Sequence, residues 1–220
     1  MKIKYFFGCC FFLVALGIYL FLTRKPPIVV LPAEFELQDA ILIAYEKLPS
    51  NQAHQDLHEK QRLVLIDIIA ECHKSVDIKV LVADKESYGS AKDHLTSRNI
   101  DLDNIEFIHH NFDSMWIRDY GPIQLNRSSG TREWLNFDYY LPGNSWVNDD
   151  GIRHNRALDD NVITHLAKKQ GVKVRSVDIA LHGGAILSNG GNILVISKAV
   201  FDWNQERFQL SPEQTKARLT

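Results

Sequence analysis

The sequence predicts an α/β protein, and three observations carry that expectation. Short apolar runs of strand length recur at Ala40–Tyr45, Asp77–Ala83 and Ile105–His109. They are shorter than ordinary helices and rich in the β-branched residues that strands favour. Helix signals stand between them. The composition is globular, with 45% hydrophobic and 24% charged residues in a chain of 220, which excludes disorder, collagen and coiled coil as whole-chain descriptions. That length allows one domain of ordinary size, with or without an appendage.

The elements follow in order. Residues 5–22 carry no charge and are flanked by Lys2 and Lys4 on one side and Arg24 and Lys25 on the other. At about 1.5 Å per residue, a helix of that length just crosses a bilayer core. Residues 1–25 therefore read as a single-pass N-terminal membrane anchor. The alternative is a signal segment that is cleaved so that the body is secreted. The only small-x-small site, Ala15-x-Gly17, lies inside the apolar run, which favours the anchor. Positive charge is nearly equal on both sides, so orientation stays open. Pro26-Pro27 breaks any helix and opens a linker over residues 26–30.

In the body, Ala40–Tyr45 reads as a buried strand. Ser50-Asn51 starts a helix with Leu65, Ile68, Ile69 and Cys72 on its buried face. Asp77–Ala83 is a strand, Ser87–Ser97 a polar helix, and Ile105–His109 a strand. Ile123–Leu125 and Trp134–Phe137 flank a turn at Ser128-Ser129-Gly130. Asp159–Gln170 is a helix capped by Gly171, and Val172–Val177 and Ile193–Ser197 are strands. Ser211-Pro212 pairs an N-cap with proline at the first helical position. Few residues follow it, so a domain truncated at its C-terminus is expected.

The net charge of −2 argues against a general nucleic-acid binder. It hides an asymmetry: residues 1–25 hold four of the 25 basic residues and no acidic one, leaving 21 basic against 27 acidic residues. The cysteines are Cys9, Cys10 and Cys72, so the body has a single thiol and no internal disulfide.

Two clusters carry chemistry. Residues 109–122, HHNFDSMWIRDYGP, hold Asp113, Trp116, Arg118 and Asp119 before a Gly-Pro stop. As a strand, this stretch would put Trp116 and Arg118 on one face, with Asp119 at the strand end, where sites tend to sit. Taken alone, Arg118-Asp119 reads as an internal ion pair and Trp116 as core. Residues 181–192, LHGGAILSNGGN, hold two Gly-Gly pairs that permit tight turns and close backbone approach. They match neither a dinucleotide fingerprint nor a P-loop. Taken alone, they read as a hairpin turning at Asn189-Gly190.

Together with Pro32-Ala33-Glu34-Phe35-Glu36, these motifs resemble one family: the agmatine deiminases and bacterial-type peptidylarginine deiminases, of the guanidino-group-modifying superfamily. Trp116-x-Arg118-Asp119-x-Gly121-Pro122 resembles that family's W-x-R-D-x-G-P signature. Leu181-His182-Gly183-Gly184 followed by Asn189-Gly190 is similar to its L-E-G-G…D-G segment. Asn204 and then Leu210-Ser211-Pro212-Glu213 are similar to its N…L-S-x-E stretch. The resemblance covers roughly residues 31–220, so these read as a deiminase-like domain.

The resemblance implies a partial pentein-type α/β propeller of ββαβ modules. It also implies a chemistry without cofactor or metal. A cysteine thiolate attacks the guanidinium carbon of a small guanidino compound or a protein arginine side chain. Ammonia leaves, water hydrolyses the thiouronium, a histidine moves protons, and carboxylates hold the cation. A bidentate carboxylate suits a planar cation that is always protonated. On this resemblance Asp119 is the catalytic, substrate-clamping carboxylate, and Trp116, Arg118 and His182 bind substrate.

The departures shape the expectation. The family's later G-H-x-D and G-G-x-N-x-H-C type motifs do not occur. Cys72 sits on an apolar helix face, where a thiol behaves as a small hydrophobe. His182 stands where the family usually has glutamate, and Asn189 where it has aspartate. The expectation is therefore a deiminase-type chain inactive by itself, with a non-catalytic membrane-tethered guanidinium-binding module as the alternative. His54 and His58 have metal-ligand spacing but lack a third partner. Adjacent His109 and His110 point apart in a strand. Asp149-Asp150 and Asp159-Asp160 read as solvated turns and a helix start.

Overall fold

A computed structural model describes residues 29–49, 51–139, 146–147, 153–154 and 156–219. Two sheets and a hairpin organise them. The first sheet is parallel and three-stranded, with β2 (Ala40–Tyr45), β3 (Asp77–Val82) and β4 (Ile105–His109) side by side in chain order. Its crossovers are α1 (Gln52–Cys72) and α2 (Lys85–Ser97). Parallel strands joined by helices bury both faces, and this sheet does so. Ile43, Tyr45, Ile78, Val80 and Val82 pack against Ile66 and Ile69 of α1 and Ala91 and Leu95 of α2. The opposite face, Ala44, Leu81 and Ile108, packs against Phe112, Tyr120, Val162 and Leu166. The capping box at Asp84 starts α2: Asp84 accepts from Ser87 N and Ser87 Oγ accepts from Asp84 N.

The second sheet runs β1-β5-β6-β9, built from β1 (Val29–Val30), β5 (Ile123–Arg127), β6 (Arg132–Asp138) and β9 (Lys173–Ala180). β5 and β6 are antiparallel, and β6 and β9 are parallel. The β6–β9 crossover includes α5 (Val162–Gln170), which follows the short α4 (Ala157–Asp160) and ends at left-handed Gly171. β5, β6, α5 and β9 thus form one ββαβ unit. The hairpin of β10 (Ile186–Ser188) and β11 (Leu194–Ile196) leads into α6 (Lys198–Phe208) and α7 (Pro212–Leu219). Short strands β7 (Trp146–Val147) and β8 (Arg153–His154) pair with each other.

Three expectations change. The first sheet is βαβαβ rather than ββαβ. In α1 the buried face runs through Arg62, Ile66 and Ile69, whereas Ile68 is 43% exposed, because a step of two residues from Ile66 turns it about 200° round the helix. The expected membrane localisation is corrected as well. Among the described residues no helix is long and apolar enough to cross a membrane. The 21-residue α1 is long enough but carries Asp56, Glu59, Lys60, Arg62, Asp67 and Glu71. Residues 5–22, on which the anchor rested, lie outside the described residues, as do Asp149-Asp150.

Candidate active site

The W-x-R-D segment is one helical turn, α3 (Ile117–Tyr120), and not the strand that alternation suggested. The Asp119 amide donates to the Trp116 carbonyl at 2.9 Å and the Gly121 amide to that of Ile117 at 2.7 Å. Proline at 122 then leads into β5. The residues that lead into the turn are held by Asp159, whose side chain is wholly buried. Asp159 Oδ1 accepts from the amides of Asp113 at 2.7 Å and Ser114 at 3.2 Å, and Oδ2 from Ser114 Oγ and Arg156 Nη1, each at 3.0 Å. Asp113 Oδ2 in return accepts from the Leu158 amide at 3.1 Å. The buried Tyr120 hydroxyl donates to the Ser114 carbonyl, and burial pushes its proton affinity up. Burial also pushes the Asp159 carboxyl up to about 6, against the pull of the Asp113 amide and the Arg156 guanidinium.

The turn of Gly183–Ala185 packs directly on α3. A methyl carbon on Gly183 would overlap the Arg118 carbonyl oxygen, and one on Gly184 would lie 2.5 Å from Asp119 Oδ1. Glycine is needed here for this close approach. The contact brings His182 to Asp119, with Nδ1 to Oδ1 at 3.5 Å. Trp203 of α6 lies beside the imidazole, ring centres 5.0 Å apart. The next residue of that helix, Asn204, is fully buried and fixes the end of β9: its Oδ1 accepts from the Ala180 amide at 2.9 Å and its Nδ2 donates to the Ala180 carbonyl at 2.7 Å.

Four residues were expected at the site. Asp119 and His182 are brought together, each about one-third exposed. Trp116 is 57% exposed and so is not core. Arg118 shares the turn but reaches away from Asp119, to the Glu34 carboxylate and to the Ile186 carbonyl at 3.3 Å. Tyr139, near Asp119, has its hydroxyl pushed up to about 12, by burial first and by the Asp119 charge among the lesser causes. The isolated reading of Arg118-Asp119 as an internal ion pair is thus replaced by an Arg118–Glu34 pair. A cleft of about 1080 Å³ opens between the two sheets under residues 31–39. Arg118 lines it, but Asp119 and His182 do not. The expected solvated helix start at Asp159-Asp160 is corrected, since Asp159 is a buried acceptor. Trp203 was not anticipated, and only its neighbour Asn204 carried a motif signal.

Elsewhere, His109 faces the Tyr88 ring at 5.3 Å while His110 stacks on His165 at 4.1 Å. Among the described residues no three His, Cys, Asp or Glu side chains gather to hold a metal ion. Cys72, the one described cysteine, packs at the edge of the first sheet's helical core.

The fold is that of solved agmatine deiminase structures. C. jejuni agmatine deiminase matches with a TM-score of 0.64 at 18% identity, over 89% of this chain and 54% of that one. The agmatine deiminase of Enterococcus faecalis matches at 0.68 and 18%, over 87% and 49%. A substrate-bound variant of the C. jejuni enzyme matches at 0.69 and 20%, over 89% and 54%. The chain spans about half the length of these structures, and at such identities the likeness is one of fold. The sequence model of the Porphyromonas-type peptidyl-arginine deiminase family matches residues 30–220, and the chain belongs to that family. No curated protein matches it.

Proposed function

We propose that this chain supplies the guanidino-binding part of a deiminase that hydrolyses the guanidino group of agmatine or of an arginine side chain to a ureido group and ammonia. The observation that carries the reading is the meeting of Asp119, His182 and Gly184 in one partly exposed site, three residues along the chain from the exposed Trp116. A carboxylate there accepts guanidinium N–H donors, and the exposed indole offers a face for the same cation. Family membership supports the same chemistry.

Calorimetry with agmatine on the wild-type chain and on Asp119→Asn tests the clamp. Loss of one charge-assisted acceptor should weaken binding about tenfold or more. Equal affinity in both chains would remove Asp119 from the reading.

The position of Cys72 favours a second reading, binding without turnover. Its packing against the helical core suits a small hydrophobe better than a nucleophile. On this reading, purified chain incubated with agmatine or a peptidyl-arginine substrate forms neither carbamoylputrescine nor citrulline. Appearance of either product would decide for turnover by the chain alone.

A further inference from the structure

Asp119 and His182 form a couple with a property that a pair of carboxylates would lack. The His182 Nδ1 atom is buried and has no hydrogen-bond partner among the described residues, yet it faces Asp119 Oδ1 across 3.5 Å. The ring is nonetheless 29% exposed, so its other atoms carry the exposure. It is held in place from behind by Trp203 and through the backbone by the Asn204 clamp on Ala180. A small closing movement would bring Nδ1 within ordinary donor distance of Oδ1.

We propose that His182 is a proton-operated competitor for the Asp119 carboxylate, so that the site accepts an external guanidinium only while His182 is neutral. This rests on the guanidinium reading of the site and goes beyond it by setting when the site is available. Protonated from solvent, His182 donates Nδ1–H to Asp119 Oδ1 and cancels the charge that the ligand needs. When the proton returns to solvent, the carboxylate is free. A guanidinium stays charged throughout the neutral range, so the ligand itself contributes no titration there.

The groups around the couple do not replace His182 in this role. Arg118 of α3 is engaged by Glu34 and the Ile186 carbonyl. Arg207 of α6 is engaged by Asp138, its Nε and Nη2 both reaching Oδ2, at 2.7 and 2.6 Å. Tyr139 holds its proton far above neutrality. The turn Gly183–Ala185 has no titrating side chain.

Two measurements on the full chain test this. Proton NMR follows the His182 ring across pH in wild type and in Asp119→Asn, without ligand. The midpoint should be lower in Asp119→Asn than in wild type, because the facing carboxylate favours the charged ring. An unmoved midpoint overturns the proposal.

Calorimetry with agmatine at about pH 5.5 and about pH 8 should give affinity roughly tenfold weaker at the lower pH, and His182→Gln should flatten that difference. Equal wild-type affinities at both pH values, or the same dependence in His182→Gln, overturns the proposal. If agmatine binds at neither pH, the guanidinium reading fails. The NMR midpoint alone then decides whether the proton-exchanging couple stands.

Discussion

The Asp159 carboxyl holds its proton up to about pH 6 because burial disfavours its charge. Unfolded, it would titrate in the ordinary carboxylate range near 3.8. The folded chain therefore binds the proton more tightly, and the associated stability is complete below about pH 4 and lost as pH rises through about 6. A shift of about two units corresponds to about 3 kcal/mol. Urea unfolding midpoints should fall across that interval, and Asp159→Asn should flatten the fall; an unchanged slope in the variant would assign it to another group. Glu133 has the opposite sign. Arg127 and Lys173 hold it down to about 2, so its contribution is present above the ordinary carboxylate range and lost as pH falls toward about 2. Neither environment is legible in the chain. Asp159-Asp160 before an apolar helix has the signature of a solvated first turn, and only the folded loop at Asp113 and Ser114 supplies the donors that make it a buried acceptor. Asp119 was legible because its motif is distinctive. Glu34 was not, since its partner Arg118 lies 84 positions away.

Among elements, the strands were the most readable. Ala40–Tyr45 forms over the residues its apolar run marks out, and Gly171 ends α5 as a left-handed cap should. The turn at Ile117–Tyr120 was not readable, because four residues hold too little pattern to distinguish one helical turn from a strand. It packs against Gly183, and Asp159 holds the residues that lead into it. β9 extends beyond its expected end to Ala180 because Asn204 of α6 satisfies the Ala180 amide and carbonyl. Asn204→Ala leaves both groups buried and unpaired, which should cost about 3 kcal/mol. Chemical denaturation measures this, and a loss below about 1 kcal/mol would mean that other groups or water take over the pairing.

For the molecule as a whole, Leu166 lies between the two sheets, 2% exposed, with Ala44 and Ile108 on one side. Truncation to alanine there should cost about 2–5 kcal/mol, as for other buried leucines. A stability change within error would mean that the interface closes around the gap. The same arrangement governs the order of assembly during synthesis. All three strands of the first sheet, with α1 and α2, are made by residue 109, and they need no later residue to pair. Two of the four residues that cover their second face, Val162 and Leu166, emerge from the ribosome more than fifty residues afterwards. Between those moments the nascent chain carries a formed sheet with one greasy side bare, the kind of surface that chaperones recognise and that seeds aggregation.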